Sequence, residues 1–97
     1  MNKFSLFLKA ISGATDLIHL SKKQRQIVFY SEGRTYWPNL EGLLISTLKQ
    51  TNNTVCYVSS SFDDPGLSMK HKKLKTFFIG MGFVRDYVFR NIDTNIM

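Results

Sequence analysis

The sequence predicts an α/β fold built on a parallel sheet, and three observations carry that expectation. Short apolar runs recur at residues 27–30 (IVFY), 54–59 (TVCYVS) and 75–79 (KTFFI), suited in length to strands buried on both faces. Between the first two, Trp37, Leu40, Leu44 and Leu48 recur at helical steps, with Leu43 and Thr47 beside them. After the third, residues 83–90 take helical spacing again, with Val84, Tyr87 and Val88 on one side. Strands alternating with helices make βαβ units, so a Rossmann-like parallel sheet with flanking helices is the expected architecture.

Taken in order, residues 3–20 (KFSLFLKAISGATDLIHL) place Phe4, Phe7, Leu8, Ile11, Ala14 and Ile18 on one face of an amphipathic N-terminal helix. Gly13 counts against it, since glycine costs about 1 kcal/mol relative to alanine in a helix interior. This helix either packs on the domain or a neighbour, or lies in a membrane interface. In the second case Phe4, Leu6, Phe7 and Leu8 enter the headgroup region. Lys3, Lys9, Lys22, Lys23 and Arg25 then face anionic lipid. Residues 21–25 read as a basic connector, which divides the chain into residues 1–25 and a partial Rossmann-like domain at 26–97.

The first strand turns abruptly polar at Ser31-Glu32-Gly33-Arg34-Thr35. Pro38 suits a first helical turn, where its missing N–H costs nothing, and Thr51-Asn52-Asn53 ends that helix. Residues 60–74 hold little helical pattern, so the second crossover is expected to be irregular. The sequence ends in NIDTNIM, where a fourth strand is expected to begin. That ending suggests a piece of a longer protein, with sheet edges open to self-association.

Length allows one domain. Thirteen Lys+Arg against seven Asp+Glu give a net charge of +6, which favours acidic partners without choosing among them. A single cysteine, Cys56, excludes an internal disulfide and sits in an apolar run as a small buried hydrophobe. No stretch has the 18 consecutive apolar residues of a spanning helix, and no signal-peptide pattern is visible. A cytoplasmic location is the default. Asn52-Asn53-Thr54 fits a glycosylation pattern but reads as a loop.

In an open parallel sheet, ligands bind at the carboxyl ends of the strands. Three exits are expected along that edge: residues 31–37, 59–64 and 80–82. Gly33 would let backbone approach a ligand, Arg34 would clamp a phosphate, and Ser60 and Ser61 would supply hydroxyls. A serine pair such as Ser60-Ser61 more often caps or turns a chain than binds a ligand. Glu32 has two equal readings, as an acid–base or hydroxyl-binding group and as a cap for the following turn. Gly80 and Gly82 open a helix start that favours anions, but Gly80-Met81-Gly82 lacks the third glycine of a dinucleotide fingerprint. No phosphate-binding Walker pattern occurs, and no cofactor is expected. Asp63 is expected to form an Asx turn before Pro65-Gly66. His19 and His71 have no metal-ligand spacing around them, so no metal is expected. Lys70, Lys72 and Lys73, with His71 and Lys75, form the densest basic run, either a solvated face or a polyanion contact. It lacks the interleaved aromatics of a nucleic-acid site, and no nucleic acid is expected as a partner.

The segments IVFYSEGRTYWPNLEGLL, VCYVSSSFDDPGL and LKTFFIGMGFVRDYVFRNIDTNIM together resemble the N-terminal part of bacterial CDP-glycerol glycerophosphotransferases. These enzymes make teichoic acid and capsular polymers. The resemblance spans residues 25–97 and is anchored on the SEG exit and the DDP loop. It implies the N-terminal, acceptor-side half of a GT-B fold, in a peripheral enzyme at the cytoplasmic face of the membrane. CDP-glycerol and a lipid-linked or glycerophosphate acceptor would be partners only of the full-length enzyme. Neither His19 nor His71 matches the family's catalytic histidines, so the resemblance implies that these 97 residues alone lack donor binding and turnover. A free-standing Rossmann-like module for a phosphorylated ligand, and a membrane-surface interaction protein, are the alternatives.

Overall fold

The computed structural model describes residues 2–80, 82–91 and 95–96. Its elements are α1 (Lys3–Ile18), β1 (Ile27–Ser31), α2 (Trp37–Gln50), β2 (Val55–Ser59), β3 (Leu74–Phe78), α3 (Phe83–Asn91) and β4 (Asn95–Ile96). Asn2 starts α1, its Oδ1 accepting the Ser5 N–H at 2.7 Å. Such a cap satisfies one of the orphan donors at a helix start. Pro38 lies in the first turn of α2, and Thr51 leaves that helix in an extended conformation.

The strands pair in the order β3-β2-β1-β4, all parallel. Ile27 to Ser31 stand opposite Val55 to Ser59, and those opposite Leu74 to Phe78. β2 is central and buried along its whole length, which is why its sequence runs apolar without alternation. Stepping outward from β1 through β2 to β3, then back to β4, reverses direction. With right-handed connections, that reversal puts α3 on the face opposite α2. The cores divide accordingly. Leu44 and Leu48 of α2 pack on Phe29, Val55 and Tyr57. Ala10, Ala14 and Leu17 of α1, with Val84 and Val88 of α3, pack on Val28, Cys56, Val58, Phe77 and Ile79. Each large apolar side chain so buried contributes about 1.5–3 kcal/mol. The β2–β3 connection holds only a 3-10 turn, Pro65–Ser68.

The packed face of α1 differs from the stripe its periodicity suggests. Ala10, Ala14 and Leu17 are buried, while Phe4, Phe7, Leu8 and Ile11 are exposed, Phe4 by 67%. Close approach explains the rotation. A Cβ on Gly13 would stand 2.0 Å from the Phe78 carbonyl oxygen, so the helix backbone rests directly on the end of β3. Small residues permit that contact, and the larger ones at 4, 7, 8 and 11 would hold the helix off. Gly13, unfavourable by helix propensity, is what docks the helix.

Candidate functional site

The parallel strands bring Ser31, Ser59 and Phe78 to one edge. Strand order reverses between β1 and β4, and such switch points form crevices at the carboxyl ends of α/β sheets. A cleft of about 300 Å³ lies at the exit of β1, lined by Tyr30, Ser31, Glu32, Tyr36, Asn39 and Leu40. A larger one, about 530 Å³, lies between α1 and the exits of β2 and β3, lined by Lys3, Leu6, Phe7, Ala10, Ser60, Phe78, Gly80 and Val84.

Ser31 builds the exit of β1. Its buried hydroxyl accepts the Gly33 N–H at 3.2 Å and donates to the Gly33 carbonyl at 2.9 Å. The turn that Glu32 was equally suited to cap is therefore held by its neighbour. Glu32 is exposed and makes no hydrogen bond or ion pair among the described residues, which leaves its carboxylate at the cleft. Gly33 is extended, at φ 169° and ψ 179°, and a Cβ there would make ordinary contact with Ser61 at 3.5 Å. Neither space nor conformation requires glycine at that position. Arg34 turns toward the β2 loop, with Nη1 3.6 Å from Asp63 Oδ2 in an exposed pair, and does not line the cleft beside Glu32.

At the exit of β2 the two adjacent aspartates separate into different roles. Asp64 is buried and accepts the Tyr57 hydroxyl at 3.0 and 2.9 Å, the Ser59 hydroxyl at 2.7 Å and the Gly66 N–H at 2.9 Å. The Asx turn expected of Asp63 belongs to Asp64. An Asx side chain bonds the backbone two residues on, and two residues beyond Asp63 stands Pro65, which has no N–H. Asp63 instead accepts the Ser61 hydroxyl and pairs with Arg34. Burial, reinforced by Asp64, pushes the Tyr57 hydroxyl well above its ordinary range.

Ser60 is buried, with its Oγ 2.5 Å from the Tyr30 hydroxyl. Arg85 of α3 faces the same Tyr30 hydroxyl, which, with Asp86 at 3.5 Å, raises the guanidinium further above its usual value. Tyr30 thus joins β1, β2 and α3 at the ligand edge, with its ring edge-on to Phe89 at 5.0 Å. Gly80 has φ +68°, and a Cβ there would lie 2.9 Å from Ala10 Cβ, so only glycine fits where β3 passes under α1. Gly82 also has positive φ, at +73°. Met81, the middle of that motif, lies outside the described residues.

The two lysine groups that flank β1 and β3 lie elsewhere. Lys22 and Lys23 precede β1, and Lys70, Lys72 and Lys73 precede β3, so both groups fall at the amino edge of the sheet, opposite the clefts. Arg25 is buried, its Nε donating to the Leu20 carbonyl at 3.1 Å, and is not presented with the two lysines. Lys73 Nζ donates to the Thr51 carbonyl at 2.6 Å and ties β3 to the end of α2. Phe4, Phe7 and Leu8 stand in the first two turns of α1, roughly 15–21 Å of helix at 1.5 Å per residue from its end at Ile18, beyond which Lys22 and Lys23 follow. Lys9 stands over the Phe62 ring, 5.6 Å from its centroid.

Sequence reasoning did not single out Tyr30, Tyr36, Asn39 or Arg85. The signal was present for Tyr36 and Asn39, which flank Pro38 in the turn that follows the first strand. Among the described residues, no three His, Cys, Asp or Glu side chains come together as a metal site, and no helix is long and apolar enough to cross a membrane. Comparison with protein-family models, curated proteins and solved structures finds no match to the chain.

Proposed function

We propose that the chain is the acceptor-side, Rossmann-like part of a CDP-glycerol-dependent glycerophosphotransferase-type enzyme of cell-surface polymer synthesis. The full enzyme would have a GT-B architecture and work at the cytoplasmic face of the membrane. One observation carries the reading: at the β1 exit, on the switch-point side of the sheet, an uncommitted carboxylate opens into a cleft beside hydroxyl and amide groups. The resemblance of residues 25–97 to that family supports it. In the full enzyme the acceptor's terminal hydroxyl would attack the β-phosphate of CDP-glycerol and release CMP. This chain positions the hydroxyl, and positioning carries much of the rate in phosphoryl transfer.

Separate titrations of the chain with CDP-glycerol and with a glycerol phosphate oligomer, each followed by NMR and by CMP release, test this. The reading predicts that the oligomer binds, that CDP-glycerol alone does not, and that no CMP is released. CMP release by the chain alone, or failure of the oligomer to bind, overturns it.

A second reading rests on the exposed face of α1. Phe4, Phe7, Leu8 and Ile11 stand out from the fold with Lys3 and Lys9 on the same helix, a composition suited to an anionic membrane surface. Flotation with phosphatidylglycerol vesicles, abolished by Phe4→Ser with Leu8→Ser, supports it; absence of flotation by the unaltered chain removes it.

A further inference from the structure

α1 carries two apolar faces, and the fold covers one of them. Ala10, Ala14 and Leu17 are buried against the sheet and α3. On another side of the same helix, Phe4, Leu8, Ile11, Thr15 and Ile18 recur at alternating steps of four and three. That spacing is the seam of a coiled coil. Along the second half of the seam α3 lies beside it, leaving a hollow of about 170 Å³ lined by Ile11, Ala14, Thr15, Ile18, Val84 and Tyr87. Among the described residues no charged side chain lines this hollow. Depletion of charge marks the core of a protein–protein interface.

The seam holds a knob at one end and a hole at the other. Phe4 and Leu8 protrude in the first two turns, and the hollow begins at Ile11 and ends at Ile18. Phe4 and Ile18 are equidistant from Ile11, seven residues each way. Seven residues make about two turns, so the three stand in one line along the helix. Reversing the helix about Ile11 therefore exchanges knob for hole. A second copy of α1, antiparallel and related by a twofold axis at Ile11, seats Phe4 over the partner's Ile18 at both ends at once. An unrelated helix would fill one hollow and leave Phe4 uncovered. Isologous interfaces have this reciprocity, with residue i meeting j and j meeting i.

The area is sufficient for a dimer. Phe4 is 67% exposed, Leu8 50%, Ile11 40% and Tyr87 55%. At about 200 Å² for a whole large side chain, these four expose about 400 Å² of largely apolar surface per copy. Interfaces are about 56–65% apolar, so two such patches correspond to about 1,200–1,400 Å² in all. Stable, specific interfaces begin at about 1,200 Å².

We infer that the chain pairs with a second copy of itself through an antiparallel, twofold contact of α1 on α1, each Phe4 entering the α1–α3 groove of the other copy. α1 and α3 pack on the face of the sheet opposite α2, whereas Asn39 and Leu40 of α2 line the cleft at the β1 exit, so the pairing leaves that cleft open. The inference is independent of the acceptor-side reading, and it gives the exposed face of α1 to a protein partner in place of a membrane.

The test is sedimentation velocity of the whole chain from about 10 to about 500 µM, a span that covers the weak end of interfaces of this size. The mass should rise from 11.2 kDa toward twice that value. Phe4→Ser and Leu8→Ser, both at exposed positions, should each weaken pairing about tenfold while circular dichroism is unchanged. Oxidised glutathione should link Ile11→Cys, at the axis, into a disulfide dimer, and should not link Lys9→Cys, on the same helix but off the seam. Cys56 is buried and does not compete. A mass that stays at 11.2 kDa throughout overturns the inference. So does a dimer that both serine variants leave intact, or one that Lys9→Cys links as fast as Ile11→Cys. Flotation of a chain that is monomeric throughout this range with phosphatidylglycerol vesicles gives the face to the membrane and overturns it as well.

Discussion

Replacing Gly13 by alanine separates two opposing effects that the structure puts at one residue. In a free helix the change stabilises by about 1 kcal/mol. Here the new Cβ falls 2.0 Å from the Phe78 carbonyl oxygen, 2.9 Å from its carbon and 3.2 Å from its nitrogen. All three are backbone atoms of the last residue of β3, which stands opposite Ser59 in the ladder. Relief requires either moving that strand end or lifting α1 off Val28, Val58 and Phe77, against which Ala10, Ala14 and Leu17 are buried. Overpacking of this kind costs about 1–3 kcal/mol, and with rigid backbone on the far side the upper end applies. Subtracting the helix gain leaves a net loss of about 2 kcal/mol, or a Tm lower by about 8–16 °C in a domain this small. Gly42 in α2 is the matched control, because a Cβ there meets nothing within 4 Å. Gly42→Ala should stabilise by about 1 kcal/mol. Urea unfolding followed by circular dichroism measures both. If Gly13→Ala equals or exceeds the parent in stability, the docking of α1 on β3 is wrong.

Asp64→Ala should destabilise by about 2–4 kcal/mol, since it strands the buried Tyr57 and Ser59 hydroxyls and the Gly66 N–H, whereas Asp63→Ala should change stability by less than about 0.5 kcal/mol. Stability should also fall at alkaline pH. Burial raises the Cys56 thiol from 9.0 to about 11 against the pull of Lys75 and Arg25, and Tyr57 is raised too, so both hold their protons longer folded than unfolded. Their contribution is full below the unfolded values and is lost as the pH rises through the folded ones, so urea midpoints should hold to about pH 9 and decline beyond it. For the same reason Cys56 should resist thiol reagents at pH 8 until the chain unfolds.

The two inner strands were legible because a parallel sheet covered on both faces demands continuous apolar runs, and IVFY and VCYV have them, while the edge strand carries only Phe77 and Phe78 after Lys75 and Thr76. The face of α1 was not, because periodicity weighs apolar character and ignores size. Phe4, Phe7, Leu8 and Ile11 score as a core stripe, yet contact with β3 selects Ala10, Gly13 and Ala14. The role of Asp64 was written in the sequence, since Pro65 denies Asp63 an N–H two residues on and Gly66 grants one to Asp64. Glu32 could not be resolved locally, because Ser31 and Glu32 both suit the turn and only the fold shows that Ser31 holds it. The separation of Lys22, Lys23, Lys70, Lys72 and Lys73 from the clefts followed from the parallel direction of the strands, which sends residues before β1 and β3 to the edge opposite their exits.

The central claim is that ligands meet this chain at the β1 exit and not at its basic edge. An NMR map of glycerol phosphate oligomer binding at moderate salt addresses it directly. The account predicts the largest shifts at the amides of Ser31 to Tyr36, Asn39 and Leu40, reduced by Glu32→Gln. Largest shifts at Lys22, Lys23, Lys70 and Lys72, unaffected by that substitution, would contradict it.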